Sequence, residues 1–211
     1  MTHVLVMAKA PVPGRVKTRL CPPCTPDEAA ALAEAALADT LDAVLACGAD
    51  RRIVALEGAP GPWLPAGFEV IPQVDGPFDR RLAAAWALAA GAGVQIGMDT
   101  PQVTVELLDD ALASLDSTSA ALGPAADGGW WAIGLRRPDR RIFTDIPMST
   151  AGTGAAQQRR LQELGLSVTT LPTLVDLDTA ADLPAVIESG SAIRTLAQAR
   201  RIGMLPVATA V

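Results

Sequence analysis

The chain alternates short, continuous apolar runs with longer segments of helical periodicity, and this alternation restricts its fold more than any other property. Residues 3–8, with Val4 and Val6, form the first run. Others lie at 52–56, 68–71, 94–97, 120–122, 130–133 and 168–171. Runs this short and this apolar read as strands, several of them covered on both faces. Between them, Thr25-Pro26-Asp27-Glu28 carries three agreeing helix-start signals: a capping hydroxyl, a proline at the first position and a carboxylate able to reach back. Leu37, Leu41, Val44 and Leu45 follow at helical spacing up to Gly48. Further helices are expected at 79–91, after Thr104, near 153–164, after Thr179 and Asp182, and at 191–202. The pattern predicts an α/β fold of one domain over 1–211, with a mostly parallel, mixed sheet covered by helices.

In such sheets ligands bind beyond the carboxyl ends of the strands. Three polar clusters fall there: the loop after residue 9, Asp99, and Asp176 with Asp178. The first is set apart by charge. The chain has a net charge of -6 and 17 basic residues, 15 Arg and 2 Lys, and both lysines lie among the first twenty residues. Lys9, Arg15, Lys17 and Arg19 meet no acid there, so that stretch carries +4. The overall sign argues against a nucleic-acid binder, and the local concentration points to a small anionic ligand. No apolar run approaches a membrane span, and the opening residues lack the basic region of a signal peptide. Three cysteines do not make a disulfide scaffold, so a cytoplasmic location is expected. Cys21 and Cys24 have redox-motif spacing but no helix pattern begins at the first of them.

The basic loop runs Lys9-Ala10-Pro11-Val12-Pro13-Gly14-Arg15-Val16-Lys17-Thr18-Arg19. It has neither the spacing of a Walker A loop nor that of a dinucleotide fingerprint. Its chemistry nevertheless suits phosphates. Gly14 lets backbone N–H groups approach an anion. Arg15 and Arg19 offer bidentate forks, and Lys17 is a compact charge. The competing reading is a solvated basic loop in a chain of biased composition.

This run, from Ala8 to Leu20, resembles the opening signature of a bacterial family in the GT-A, or nucleotide-diphospho-sugar transferase, superfamily, whose members are usually labelled glycosyltransferases. Its Lys17-Thr18-Arg19-Leu20 end also resembles the opening of phospholactate guanylyltransferases. The likeness continues through Gln73 to Arg81, Ile96-Gly97-Met98-Asp99-Thr100-Pro101, Gly123 to Trp131, Ile146 to Thr150 and Asp176-Leu177-Asp178-Thr179. It implies a Rossmann-like GT-A fold, with a nucleotide-binding half over 1–100 and an acceptor-binding half over 101–211. It implies nucleotide contacts from Ala8, Lys9, Gly14, Arg15, Lys17, Thr18, Arg19 and Gln73. Acceptor contacts would come from Asp127, Gly128, Gly129, Trp130, Ser149 and Thr150. Asp99 and Asp178 would hold Mg²⁺ or Mn²⁺, with Asp176 nearby; such ions favour hard oxygen ligands. Each residue also has a plainer reading. Asp178 could be a helix-start acid, Asp99 a turn residue, the Trp130-Trp131 pair core, and Ser149-Thr150 a helix cap. Two departures stand out: Gly97 occupies the first position of the usual D-x-D, and Ala151-Gly152 follow Thr150 where an acid is common.

The only histidine, His3, sits in a predicted strand, and no Ser or Cys lies in a nucleophile elbow. The resemblance implies a metal-dependent transferase, with nucleotidyl transfer from a nucleoside triphosphate to a small phosphorylated acceptor as the expected reaction; an ionised acceptor phosphate needs no base, which agrees with the histidine-poor site. Arg15, Lys17 and Asp99 would carry it. The alternatives are a glycosyltransferase using a nucleotide-sugar, with Asp127 as base, and a nucleotide-binding relative without turnover. The nucleobase, the acceptor and the oligomeric state are not legible.

Overall fold

A computed structural model describes residues 1–206. All seven expected strands are present: β1 (Thr2–Lys9), β2 (Arg51–Glu57), β3 (Glu69–Pro72), β4 (Ala92–Ile96), β5 (Ala120–Pro124), β6 (Trp130–Leu135) and β7 (Val168–Thr170). They form one sheet in the order β3-β2-β1-β4-β6-β5-β7. Only β6 runs against the others, pairing antiparallel with β4 and β5. The sheet is thus mixed and mostly parallel, and β1, β2, β4, β5 and β7 all end at one edge, where β6 begins.

The described residues also form six α-helices, α1 (Pro26–Ala46), α2 (Phe78–Ala89), α3 (Val105–Ser114), α4 (Thr153–Glu163), α5 (Leu183–Glu188) and α6 (Ile193–Arg201), the last two packing with α1. The α1 start is built as its sequence predicts. Thr25 accepts from the Glu28 N–H, while Glu28 accepts from the Thr25 N–H at 2.8 Å. Val4, Val6, Val94 and Ile96 point from the strands toward α1 and α3. Leu5, Met7, Ile53 and Ile133 point the other way, toward α2 and the Ile142–Phe143 turn. This alternation is the strand period expressed as two cores. None of the described helices is long and apolar enough to cross a membrane.

Two helix-start expectations are corrected. Thr179 does not cap α5. Asp182 gathers that turn, its carboxylate accepting from the Asp178 N–H, the Thr179 N–H and the Thr179 hydroxyl. Nor does Ser149 cap α4; it lies in a left-handed turn with φ 59°, and Gly152 precedes the helix without a side-chain cap.

A third apolar cluster joins Leu20, Leu32 and Ala36 to Leu177, Leu183, Val186, Ala192 and Ala199. Beside it, Asp39 on α1 is only 8% exposed. Its carboxylate accepts from the Arg194 N–H (2.9 Å), the Thr195 N–H (2.8 Å) and the Thr195 hydroxyl (2.8 Å). A buried carboxylate is tolerated when its lone pairs are used in this way. The last helix is thereby fastened to the first.

Candidate active site

The carboxyl edge of the sheet opens into a cleft with two joined compartments. The smaller, about 280 Å³, is walled by Ala8, Lys9, Arg15, Lys17, Thr18, Arg19 and Gln73, among others. The larger, about 630 Å³, includes Asp127, Gly129, Trp130, Ser149, Thr150 and Asp176. Lys9, Arg19, Phe78, Arg81, Asp99 and Asp178 border both.

Lys17 is the centre of this arrangement. It adopts φ 48°, the left-handed region, which turns the chain sharply after the basic loop. Its side chain is 5% exposed and its ammonium pairs with Asp99 and, at 3.5 Å, with Asp178. It also donates to the Leu177 carbonyl. Arg19, largely exposed, reaches the other Asp178 oxygen at 3.0 Å. The Asp178 side chain therefore faces the cleft, while Asp182 accepts from the Asp178 and Thr179 N–H groups. The Leu177 N–H donates to the Asp99 carbonyl at 2.7 Å, and Gln102 donates to the Val175 carbonyl at 2.6 Å. These bonds bring the exit of β4 against the segment after β7.

Asp176 lies behind the pair. Burial pushes its pKa up to about 7, assisted by the charges of Asp99, Asp127 and Asp178, with Lys17 opposing. Four carboxylates share this end of the cleft. Among the described residues, no three His, Cys, Asp or Glu side chains are already gathered as a metal shell. The Lys17 ammonium instead stands as the cation between Asp99 and Asp178.

The remaining predicted residues divide. Arg15 is exposed at the rim of the smaller compartment. Lys9 pairs with Glu57 at 3.5 Å. Gln73 borders the cleft, but its amide is used internally: Nε2 donates to the Ala8 and Ala55 carbonyls and Oε1 accepts from Arg81. Gly14 does not wall the cleft; its φ of 73° serves the turn. Gly128 also lies outside the walls. A Cβ there would meet the Ala151 carbonyl oxygen at 2.1 Å, so its place is under the 150–154 loop. Asp127 accepts from the Gly129 N–H at 2.7 Å and holds the turn between β5 and β6.

The tryptophans separate as strand alternation suggests, with help. A register shift at Gly123/Pro124 gives β6 one extra residue. Trp131 packs in the core toward α1 and α3, its indole N–H donating to the Pro172 carbonyl at 2.9 Å. Trp130, half-buried, packs with the opposite core and borders the larger compartment. Sequence reasoning missed Phe78 and Gln95, and it placed Arg81 in the Gln73-to-Arg81 likeness without giving it a role. Arg81 spans Gln73 and Glu57 and stacks 5.8 Å above the Phe78 ring. Gln95 had a signal: it is the one polar side chain in the apolar run of β4.

The comparisons agree with this fold. Residues 31–150 match DUF2064, described as an uncharacterized protein conserved in bacteria. That span holds Asp99 and Asp127 but neither Lys17 nor Asp178. A 2-phospho-L-lactate guanylyltransferase of Natrialba magadii is 29% identical over 95% of this chain and 92% of its own. A crystal structure from Desulfovibrio desulfuricans G20, of a protein provisionally assigned to the nucleotide-diphospho-sugar transferases, superposes with a TM-score of 0.82. It is 26% identical and covers 96% of this chain and 91% of its own. The manganese complex of Rv0371c from Mycobacterium tuberculosis H37Rv shares the fold at a TM-score of 0.51. It is 21% identical over 89% of this chain and 97% of its own. The chain belongs to the DUF2064 family and has the fold of the nucleotide-diphospho-sugar transferases.

Proposed function

We propose that this chain is a transferase that moves a nucleotidyl group from a nucleoside triphosphate, GTP before others, to a small phosphorylated acceptor. The carrying observation is the buried Lys17 ammonium held between Asp99 and Asp178 at the mouth of a basic loop. Two carboxylates sharing a cation, with Asp176 crowded behind them, make a hard-oxygen donor set short of positive charge. That chemistry fits a divalent ion, which when bound would neutralise phosphate charge. Asp99 and Asp178 would hold it. The guanylyltransferase relative supports GTP and a phosphorylated hydroxy acid as first substrates to try.

In the reaction, an acceptor phosphate oxygen attacks the α-phosphorus. The bond from the α-phosphorus to the bridging oxygen breaks, and pyrophosphate departs. The acceptor is already ionised, so no side chain has to take a proton. The protein's part is positioning and charge. Lys17, once released from the aspartates, reaches the phosphates, and Arg15 and Arg19 stabilise the leaving pyrophosphate from the rim. Asp127, Gly129, Trp130, Ser149 and Thr150 form the acceptor side.

The Desulfovibrio neighbour favours a second reading, glycosyl transfer from a nucleotide-sugar, with Asp127 as base. A thermal-shift panel separates the two. GTP with Mn²⁺ or Mg²⁺ should raise the melting temperature more than GDP-sugars or UDP-sugars do, because stabilisation follows ligand concentration over Kd. Mn²⁺ is the first ion to test, given the mycobacterial complex. Pyrophosphate release from GTP and 2-phospho-L-lactate then tests the chemistry. A larger shift with nucleotide-sugars would favour glycosyl transfer, and no shift with any nucleotide would remove both readings.

A further inference from the structure

Gln95 sits in β4 opposite Leu5 of β1 and Ile133 of β6. Its neighbours Val94 and Ile96 point toward α1 and α3, so Gln95 points toward the α2 side with Leu5, Met7 and Ile133. It is 1% exposed, and neither its amide nitrogen nor its amide oxygen has a hydrogen-bond partner. A buried carboxamide left unpaired is costly, and apolar surroundings make a strand glutamine unnecessary for packing. Yet this side chain borders the larger compartment.

What opens the way to it is Gly97. Two residues along the strand, Gly97 is the next position on the same face, and it has no side chain. A Cβ there would approach only the Asp99 nitrogen, at 3.9 Å. Gly97 borders both compartments. The missing first acid of the D-x-D thus leaves no side chain at the next position on the Gln95 face. Two more unpaired buried polar atoms border the same compartment, Thr100 Oγ1 and Trp130 Nε1.

We propose that Gln95 is a specificity-determining residue that recognises a neutral hydrogen-bonding group, a hydroxyl or carboxamide, on the second substrate, which enters past Gly97. This rests on the transferase reading above and narrows its acceptor: 2-phospho-L-lactate carries a carboxylate and no free hydroxyl or carboxamide, so it would not be the preferred second substrate. A neutral group that both donates and accepts fits best, because a carboxylate or phosphate could accept from the Gln95 amide nitrogen but would leave its amide oxygen without a donor. A site of this kind discriminates strongly, since a substrate lacking the group leaves buried polar atoms unpaired.

The test uses the full chain with Mn²⁺ and the α,β-methylene analogue of GTP, which cannot release pyrophosphate. Glycerol 3-phosphate and propyl phosphate, alike except for two hydroxyls, are then titrated calorimetrically. Wild type should bind glycerol 3-phosphate at least about tenfold tighter. Gln95→Met should bind the two within about twofold. Equal binding by wild type, binding of neither probe, or a preference retained in Gln95→Met would overturn the proposal. Failure of the nucleotide analogue itself to bind wild type would instead reject the transferase reading beneath it. Stability gives an independent readout. Gln95→Met should melt at or above wild type, because it removes an unpaired amide, whereas a fall of more than about 3 °C would mark Gln95 as structural and overturn the assignment.

Discussion

Lys17 joins the two halves of the cleft, because its ammonium bonds Asp99, Asp178 and the Leu177 carbonyl at once. If it stands where a divalent ion would, Lys17→Met has opposite effects on two ligands. GTP binding should weaken about tenfold or more, while Mn²⁺ added alone should bind more tightly than to wild type; calorimetry of each titration checks both signs. The loop placement of Lys17 was readable from its spacing. Its partners were not, since Asp99 follows another strand and Leu177 and Asp178 lie 160 and 161 residues away in the chain. His3 is a second residue with its own signature. Burial, and then the Arg51 charge, lower its pKa to about 4, and its ring packs edge-on against Trp86 at 5.1 Å. The unfolded chain therefore binds the extra proton between pH 6.5 and 4. Stability is full above that window and declines as pH falls through it, by at most about 3 kcal/mol. His3→Phe should flatten this decline in urea unfolding at pH 4.5 and 7. An undiminished slope would assign the acid sensitivity elsewhere.

Among elements, the turn between β5 and β6 shows what local sequence can and cannot say. Asp127-Gly128-Gly129 reads as a strand–turn–strand, and it is one. That Gly128 supports the 150–154 loop is invisible in sequence, because the Ala151 carbonyl and the Gly154 N–H that meet it come from another segment. Gly128→Ala combines a backbone at φ 89° with a collision against a carbonyl oxygen. It should cost about 2–4 kcal/mol in chemical denaturation and loosen Ser149 and Thr150 at the cleft wall. Wild-type stability in that variant would mean the loop moves freely. The β6 bulge is a similar case: two adjacent tryptophans announce alternation, but which one meets the cleft depends on a register shift with β5. At α1, by contrast, the whole signal is local, and the predicted capping box is present. Near Asp178 the local signal misled: Thr179 and Asp182 both suit a helix start, yet Asp182 makes no side-chain cap bond to α5 and instead bonds back to the Asp178 and Thr179 N–H groups.

For the molecule as a whole, strand count and fold class were legible because each apolar run is short and bounded by turns. The meeting of the carboxylates was not, since the antiparallel insertion of β6 between β4 and β5 has no local mark. Charge is a whole-molecule property too. A chain of net charge -6 presents its basic loop at one cleft. GTP affinity should therefore fall several-fold between low salt and 0.5 M NaCl, measured by calorimetry, as screening removes the loop's attraction. Salt-independent affinity would argue against phosphate recognition there. The bonds from Asp39 to Arg194 and Thr195 act at this scale as well. Asp39→Ala should lower stability by roughly 3 kcal/mol, leaving three donors without their acceptor. Because α6 packs on α1 and shares an apolar cluster with α5 and Leu177, it ties the first helix to the segment that carries Asp176 and Asp178, as a bolt ties two plates. On the transferase reading, prying α6 away would be felt first as a slackened grip on the nucleotide, at a site whose walls include no residue of α6.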